Sequence, residues 1–239
     1  MNATSHQHLR GELRTDEPMA RHTSWRVGGP ADRFYRPVDA DDLAVFLRSL
    51  PADEPLFWLG LGSNLLVRDG GIRGAVVSTQ GVLDGLDQID ANTVRAEAGV
   101  ACAKVARFCA RRDLVGAEFL AGIPGTMGGA LAMNAGAFGG ETWNLVVAVE
   151  TLDRAGAHHT RAPVEYEVGY RSVRGPENEY FLAAHLHVES GDGEASASRI
   201  KGLLERRNET QPIGLPSCGS VFRNPEGDHA ARLIEAAGL

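Results

Sequence analysis

One uncharged stretch, residues 119–140, constrains this chain more than any other feature. Its sequence, FLAGIPGTMGGALAMNAGAFGG, holds seven glycines and no charged side chain. Glycine is favoured where the backbone takes a positive φ or approaches a ligand closely, and several bare N–H groups in a row can bind a diphosphate. Gly, Pro and Asn interrupt the stretch too often for a membrane-spanning helix. The alternatives are a glycine-rich surface loop or a helix pair that packs through small residues.

The composition favours a globular protein with a sizeable core. The chain has 239 residues, 43% of them hydrophobic, which is enough for one large domain or two smaller ones. A net charge of −7 argues against binding nucleic acid or a membrane surface through bulk electrostatics. Three cysteines without a CxxC pair do not build a disulfide scaffold, and the first residues lack the apolar core of a signal peptide. We therefore expect a cytoplasmic protein in which Cys102 and Cys109 pack in the core.

The pattern of apolar residues predicts an α+β chain. Residues 1–20 are polar and are expected to be loose, and His158 and His159 are expected in a turn. The segment SGDGEASAS, residues 190–198, is expected to be a linker between domains. Strands are predicted at 56–59, 72–78, 93–98, 146–153 and 182–188, and helices at 41–50 (capped by Asp39 or Asp41), 101–112, around 200–204 and 229–237.

A second glycine motif, GLGSNLLV at residues 60–67, directly follows the predicted strand 56–59. A glycine turn after a strand is a common phosphate site. Leu65 stands where a dinucleotide fingerprint needs its third glycine, and the motif lacks the lysine of a Walker A loop. Taken alone, the motif is as consistent with a tight hairpin as with a ligand loop. Two lysine-free glycine segments together suit a partly apolar cofactor with a diphosphate, and FAD fits that description.

Several motifs then appear in a familiar order: HTSWRVGGPAD (22–32), GLGSNLLV (60–67), the stretch 121–141, YEVGYR (166–171) and CGSVFRNPEGDHAARLIEAAGL (218–239). Over residues 20–239 the chain resembles the UDP-N-acetylenolpyruvoylglucosamine reductase family, in its type II branch. The resemblance implies an FAD-binding fold of the vanillyl-alcohol oxidase type with non-covalent FAD and NADPH as the reductant. It implies a nucleotide-sugar substrate in peptidoglycan precursor synthesis, and no nucleic-acid or membrane partner. The implied domains are FAD-binding subdomains at 20–83 and 84–190, and a C-terminally incomplete substrate-binding domain at 198–239.

The resemblance also implies roles for individual residues. Arg171 corresponds to the catalytic arginine, which stabilises negative charge on the substrate, and Ser220 corresponds to the proton donor. The implied substrate-binding residues are Tyr170, Arg171, Arg223 and Asn224. The implied cofactor-binding residues are Gly60, Leu61, Gly62, Ser63, Asn64, Gly122, Ile123, Pro124, Gly125, Thr126, Gly128, Asn134, Ala135 and Gly136.

The sequence departs from the family pattern in a few places. Val173 stands where the family often has a serine, and Arg223 stands where many members have lysine. The family's catalytic glutamate lies well past the GSVFRNP motif, and Glu235 has the wrong spacing from Ser220 to replace it. We therefore expect a C-terminally shortened enzyme that binds FAD but turns over poorly.

Two other functions are compatible with the same motifs. One is a flavin oxidase of the same fold that acts on an alcohol or sugar, and the other is a non-catalytic module that binds flavin or a nucleotide sugar. Rapid reoxidation by air would favour the oxidase, and bound flavin without NADPH turnover would favour the module. His158 and His159 have no carboxylate or cysteine at metal-ligand spacing. His185 and His187 alternate on a predicted strand and could share one face, but we expect solvated or core histidines and predict no metal site.

Overall fold

A computed structural model describes residues 9–210, 215–217, 219 and 221–239. The strands, in chain order, are β1 (Glu12–Pro18), β2 (Pro30–Arg36), β3 (Leu56–Leu59), β4 (Ile72–Ser78), β5 (Leu86–Gln88), β6 (Thr93–Glu97), β7 (Leu114–Val115), β8 (Gly136–Ala137), β9 (Gly140–Glu141), β10 (Val146–Asp153), β11 (His158–Arg161), β12 (Glu167–Gly169), β13 (Ser172–Arg174), β14 (Glu179–His187) and β15 (Glu189–Ser190). The helices are α1 (Ala40–Ser49), α2 (Cys102–Ala110), α3 (Met127–Met133), α4 (Gly193–Thr210) and α5 (Ala230–Ala236).

Two larger sheets organise these elements. The first has the order β1-β2-β4-β3, in which β2, β4 and β3 run parallel and β1 joins β2 in the antiparallel direction. The second has the order β11-β10-β14-β6-β5 and is antiparallel throughout. Three short pairs complete the pairing: β12 with β13, β15 with β7, and β8 with β9. The predicted α+β class is therefore correct.

Helix α1 joins the two sheets through a shared apolar cluster. Leu43, Phe46 and Leu47 of α1 are almost fully buried, and Tyr35 of β2 stacks on Phe46 with ring centroids 4.0 Å apart. The same cluster includes Leu152 and Leu182 from the second sheet. Because apolar burial is the main favourable term in folding, this cluster holds the sheets together. The predicted boundary between residues 83 and 84 falls between β4 of the first sheet and β5 of the second, and it stays a prediction.

A larger apolar cluster lies against the second sheet and includes residues of α2 and α3. Cys102 and Cys109 of α2 belong to it, as predicted, with 0% and 1% of their surfaces exposed. Burial raises the pKa of the Cys102 thiol to about 12 and that of Cys109 to about 11. Both thiols are therefore protonated, packed side chains at neutral pH.

Helix α1 begins where the sequence predicts, because the Asp39 carboxylate accepts a hydrogen bond from the Asp42 amide at 2.8 Å. This is a side-chain N-cap, which satisfies one of the free amides of the first turn. Between the two candidates, Asp39 is the capping residue.

Three local predictions are wrong. Residues 12–18 of the segment expected to be loose form β1, whose backbone pairs with β2. His158 and His159 lie on β11 rather than in a turn, and His159 pairs with Asp153 at 2.9 Å. The expected linker 190–198 is largely the first turns of α4, because Asp192 accepts a hydrogen bond from the Ala195 amide at 3.0 Å and so caps the helix.

No helix among the described residues is both long enough and apolar enough to cross a membrane.

The side chain of Asp42 generates a stability prediction. Only 1% of its surface is exposed, and its carboxylate accepts hydrogen bonds from the Arg10 amide (2.8 Å), the Tyr35 hydroxyl (2.6 Å) and the Val38 amide (3.0 Å). Asp42→Ala removes the acceptor of all three donors, and the Tyr35 hydroxyl among them belongs to a fully buried residue. We expect the free energy of unfolding to fall by about 3 kcal/mol or more, measured by urea denaturation.

Asp41→Ala is the matched control, because Asp41 lies on the same helix turn but is exposed. It should cost less than about 1 kcal/mol through the helix dipole alone. Equal losses in the two variants would contradict the importance of the Asp42 network.

Candidate active site

The first glycine loop, residues 60–67, leaves the end of β3 and leads towards β4. Leu59 of β3 lies beside Ser78 of β4 in a parallel pair, so the tight-hairpin alternative is wrong. The amide of Ser24 donates to the Gly62 carbonyl at 3.1 Å, which fixes the loop against the segment 22–32. The loop therefore has a defined place at the carboxyl end of β3.

The stretch 119–140 is mostly buried or half-buried rather than a surface loop. A 3₁₀ turn (Glu118–Gly122) leads through an extended segment into α3, and the hairpin of β8 and β9 follows. Leu120, Met127 and Leu131 have no exposed surface. The amides of Met127 and Gly128 donate to the carbonyls of Val100 and Ala98, both at 2.8 Å. The start of α3 is thus anchored by backbone hydrogen bonds to the segment that follows β6.

The two glycine segments meet although one follows a strand of the first sheet and the other lies against the second sheet. A Cβ atom at Gly60 would collide with the Thr126 hydroxyl, so only glycine permits this approach. Ser63 Oγ lies 3.8 Å from the position that a Cβ of Gly125 would take. Asn64 Nδ2 donates to Met133 Sδ, at the end of α3, at 3.1 Å. The predicted cofactor-binding residues of both segments therefore line one region.

The donor set of this region fits a group with phosphates. The N–H groups of residues 61–64 make no hydrogen bond to any other described residue. The Thr126 hydroxyl is buried and has no partner in the part of the chain that the structure describes. Apart from its two chain neighbours, no described residue comes closer than 3.8 Å to the open Cβ position at Gly125. Bare amides, a free hydroxyl and an open backbone form a site of the kind that binds anions.

Metal ligands are not grouped in the same way. Within residues 9–210 and the described positions beyond them, no three His, Cys, Asp or Glu side chains are placed to hold a metal ion.

A third element brings Arg171 to the first glycine loop. The strands β12 and β13 form a hairpin in which Gly169 faces Ser172, so Tyr170 and Arg171 are its two turn residues. Arg171 has φ = 51°, a left-handed conformation that is unfavourable for a residue with a side chain. Its guanidinium Nη2 donates to Asn64 Oδ1 at 2.8 Å. A strained turn that is held by a specific contact is typical of functional positions.

The segment before α5 lies next to the same hairpin. The backbone N–H of Asn224 donates to the Tyr170 hydroxyl at 3.5 Å. The side-chain oxygen of Asn224 accepts a hydrogen bond from the backbone N–H of Ala230 at 3.1 Å. Arg223 is exposed, as is the neighbouring Phe222. Tyr170, Arg171 and Asn224 are therefore brought together, whereas Ser220 lies outside the described residues, as does Cys218.

An aromatic cluster, Trp143, Tyr166 and Phe181, supports the base of the hairpin and was missed by the sequence analysis. The Trp143 and Tyr166 rings have centroids 4.8 Å apart, and the Trp143 indole donates to the Leu131 carbonyl of α3 at 2.8 Å. Burial raises the pKa of the Tyr166 hydroxyl to about 12, so this phenol stays neutral. Only Tyr166 belongs to a quoted motif, YEVGYR, and the grouping of the three rings was not predicted because they come from separate parts of the sequence.

A cavity of about 680 Å³ lies elsewhere, between α2 and α4, with Arg107, Ile200, Lys201 and Leu204 in its lining. Its described lining includes no predicted site residue. Cavity size alone therefore does not identify the site in this chain.

Comparisons with known proteins identify the family of this chain. A family profile for an FAD binding domain matches residues 31–161, and one for the C-terminal domain of UDP-N-acetylenolpyruvoylglucosamine reductase matches residues 211–239. The curated reductase of Alkalilimnicola ehrlichii is 66% identical over 96% of this chain and 76% of its own length. That of Nitrosococcus oceani is 60% identical over the whole of this chain and 80% of its own length.

Solved structures give the same result for the fold. The crystal structure of UDP-N-acetylenolpyruvylglucosamine reductase from Thermus caldophilus matches with a TM-score of 0.79 at 31% identity, covering 97% of this chain and 81% of its own. A cholesterol oxidase from Brevibacterium sterolicum matches with a TM-score of 0.56 at 14% identity, covering 76% of this chain and 38% of its own, which shows the fold alone. By its sequence, its matched domains and its fold, this chain belongs to the UDP-N-acetylenolpyruvoylglucosamine reductase family.

Proposed function

We propose that this chain binds FAD without a covalent bond and catalyses the NADPH-dependent reduction of UDP-N-acetylglucosamine enolpyruvate to UDP-N-acetylmuramate. Family membership supplies the reaction. The observation that carries the proposal is the hydrogen bond between Arg171 and Asn64, which puts a fixed cation beside two glycine segments suited to a diphosphate cofactor. A cofactor site and a carboxylate-binding group are what this reaction requires side by side.

FAD would lie against the two glycine segments, 60–64 and 122–128, with the backbone of Asn134, Ala135 and Gly136 at the far end of α3. The free amides of residues 61–64 and the unpartnered Thr126 hydroxyl are suited to its phosphate oxygens. When bound, FAD supplies hydride transfer from NADPH to the β-carbon of the enolpyruvyl group. The protein has to orient the substrate and stabilise the charge that develops.

Arg171 is proposed to stabilise that charge. Hydride addition at the β-carbon leaves negative charge spread over the α-carbon and the adjacent carboxylate. A guanidinium is always charged and has a planar fork that matches a carboxylate. The bond to Asn64 fixes the guanidinium before substrate arrives, so little reorganisation is needed as charge develops.

Ser220 is proposed to donate a proton to the α-carbon. A serine hydroxyl is a weak acid, so it can act only on a strongly basic, well-placed carbanion such as this one. Tyr170, Asn224 and Arg223 are proposed to bind the nucleotide sugar, and the contact between Asn224 and Tyr170 supports a shared role for the first two. The bond that forms is C–H at the α-carbon, and the proton leaves the Ser220 hydroxyl.

We also propose that the enzyme acts in the cytoplasm on a free nucleotide sugar, with no nucleic-acid or membrane partner. The net charge of −7 supports this, because it disfavours anionic polymers and anionic lipid surfaces. The two buried, unpaired thiols are consistent with a reducing compartment.

Anaerobic half-reactions test the function and Ser220 together. NADPH is expected to bleach the flavin absorbance, and UDP-N-acetylglucosamine enolpyruvate is expected to restore it. Ser220→Ala should leave the first step nearly unchanged and slow the second by about a hundredfold or more, since general acid catalysis contributes on that scale. Stopped-flow absorbance measures both steps.

Two outcomes would contradict these assignments. Equal slowing of both half-reactions would make Ser220 a structural residue. Rapid restoration of the flavin absorbance by air, with no response to the enolpyruvyl compound, would indicate an oxidase instead.

Gly125→Val tests the placement of the cofactor. Among the described residues other than its chain neighbours, none comes closer than 3.8 Å to a Cβ at this position, so the fold should tolerate it. The branched side chain would project into the proposed cofactor site. We expect FAD affinity to fall by at least about tenfold, because overpacking a close contact costs of order 1–3 kcal/mol. Flavin content after purification and equilibrium titration of the apoprotein measure the loss.

Gly202→Val is the control, because Gly202 is an exposed residue of α4 with open space at its Cβ position. It should retain wild-type flavin content. A Gly125→Val protein that purifies with full flavin would refute the placement.

A further inference from the structure

The hairpin that carries Arg171 makes packing contacts at its base and hydrogen bonds near its tip. At the base, Tyr166 precedes β12 and packs against Trp143 and Phe181. Gly175 follows β13 and lies so close to the Tyr166 ring that a side chain there would collide with it. The two ends of the hairpin are therefore closed over one aromatic cluster. This leaves the position of the turn to be set by contacts nearer the tip.

Asn134 makes one of those contacts and is almost fully buried, with 6% of its surface exposed. Its Oδ1 accepts a hydrogen bond from the Trp143 amide at 3.1 Å. Its Nδ2 donates to Glu141 Oε2 at 2.9 Å and, over a longer 3.5 Å, to the Gly169 carbonyl of β12. One amide side chain thus connects α3, the segment after β9 and the Arg171 hairpin.

The orientation of this amide follows from its partners. The backbone N–H of Trp143 can only donate, so it requires the oxygen of the Asn134 side chain. The Glu141 carboxylate and the Gly169 carbonyl can only accept, so they require the side-chain nitrogen. A flipped amide would place donor against donor and acceptor against acceptor. The bond to Gly169 is therefore part of a fixed arrangement in which two shorter hydrogen bonds hold the donor in place.

The backbone of Asn134 adds a second constraint. It has φ = 43° and ψ = 53° and ends α3 in the left-handed conformation, which asparagine adopts more readily than most residues. The end of α3 and the hairpin are consequently aligned by the same residue. Asn64 holds the other side of the turn by its direct bond to the Arg171 guanidinium.

We infer that Asn134 is a positioning residue for Arg171, acting through the Gly169 carbonyl two residues before it. The inference rests on the proposed role of Arg171 and extends it, since it assigns the side chain of Asn134 to substrate geometry rather than to a contact with the cofactor. A displacement of about 1 Å at a reacting group can cost two orders of magnitude in rate, so a residue that fixes the turn affects ligand recognition without touching the ligand.

Asn134→Asp tests this with a nearly isosteric change. One carboxylate oxygen can still accept from the Trp143 amide, while the other faces the Glu141 carboxylate and the Gly169 carbonyl and repels both. The test compares the affinity of the flavin-loaded chain for two ligands. One is UDP-N-acetylglucosamine enolpyruvate, and the other is UDP-N-acetylglucosamine, which lacks the carboxylate. The first should bind about tenfold more weakly, and the second should change by less than about twofold.

A double-mutant cycle with Arg171→Gln separates positioning from general damage. If Asn134 acts through Arg171, then Asn134→Asp adds no further loss of enolpyruvyl affinity in the Arg171→Gln background. Additive losses, or equal weakening of both ligands, overturn the inference. Loss of FAD from Asn134→Asp also overturns it, because it assigns the Asn134 side chain to cofactor binding instead.

The same data distinguish this inference from the proposed function. If Arg171→Gln weakens the enolpyruvyl ligand and Asn134→Asp does not, positioning by Asn134 is wrong and the role of Arg171 stands. If Arg171→Gln has no selective effect, the proposed role of Arg171 is wrong and the positioning inference is wrong with it.

Two further variants keep the test decisive if Asn134→Asp does not fold. Asn134→Gly fits the left-handed backbone and removes the hydrogen bond to Gly169 without adding charge. It should therefore show the same selective loss of enolpyruvyl affinity. Wild-type enolpyruvyl affinity in Asn134→Gly overturns the inference. Glu141→Gln is the matched control, because its amide oxygen can still accept from Asn134, and it should bind both ligands normally.

Discussion

The close approach of Gly60 to Thr126 is the constraint on which the rest of the site depends. No side chain fits at Gly60, so the loop after β3 can lie directly against the start of α3. The loop follows a strand of the first sheet, and α3 lies against the second sheet. Helix α1 fixes the two sheets relative to each other through its apolar cluster. The packing of α1 therefore determines whether the glycine segments meet, and glycine determines how closely they can do so.

Arg171 depends on both segments at once. Asn64 comes from the first glycine segment and bonds to the guanidinium, while Asn134 comes from the second and bonds to the Gly169 carbonyl. Hydrogen bonds of this kind contribute little net stability individually, but a polar network with each member paired fixes one geometry. The proposed cofactor-binding segments and the proposed substrate-binding arginine are consequently parts of one arrangement.

The sequence predicted features that are local, and it missed contacts between distant residues. Asp39 as a cap follows from residues close in sequence, whereas the bond between Arg171 and Asn64 joins residues 107 positions apart. The linker prediction failed because small, polar composition does not exclude a helix when Asp192 caps it. The hairpin alternative for residues 60–67 could not be excluded without the strand direction, which depends on pairing with β4.

The fold alone does not specify the reaction, because a cholesterol oxidase shares it at 14% identity. The matched FAD binding domain covers residues 31–161 and the matched C-terminal domain covers residues 211–239. Arg171 lies between those two ranges, on a hairpin whose base packs against Trp143 inside the first range and whose Tyr170 contacts Asn224 inside the second. A short hairpin of this kind can add a function to a shared fold, since it places a cation beside the proposed cofactor site.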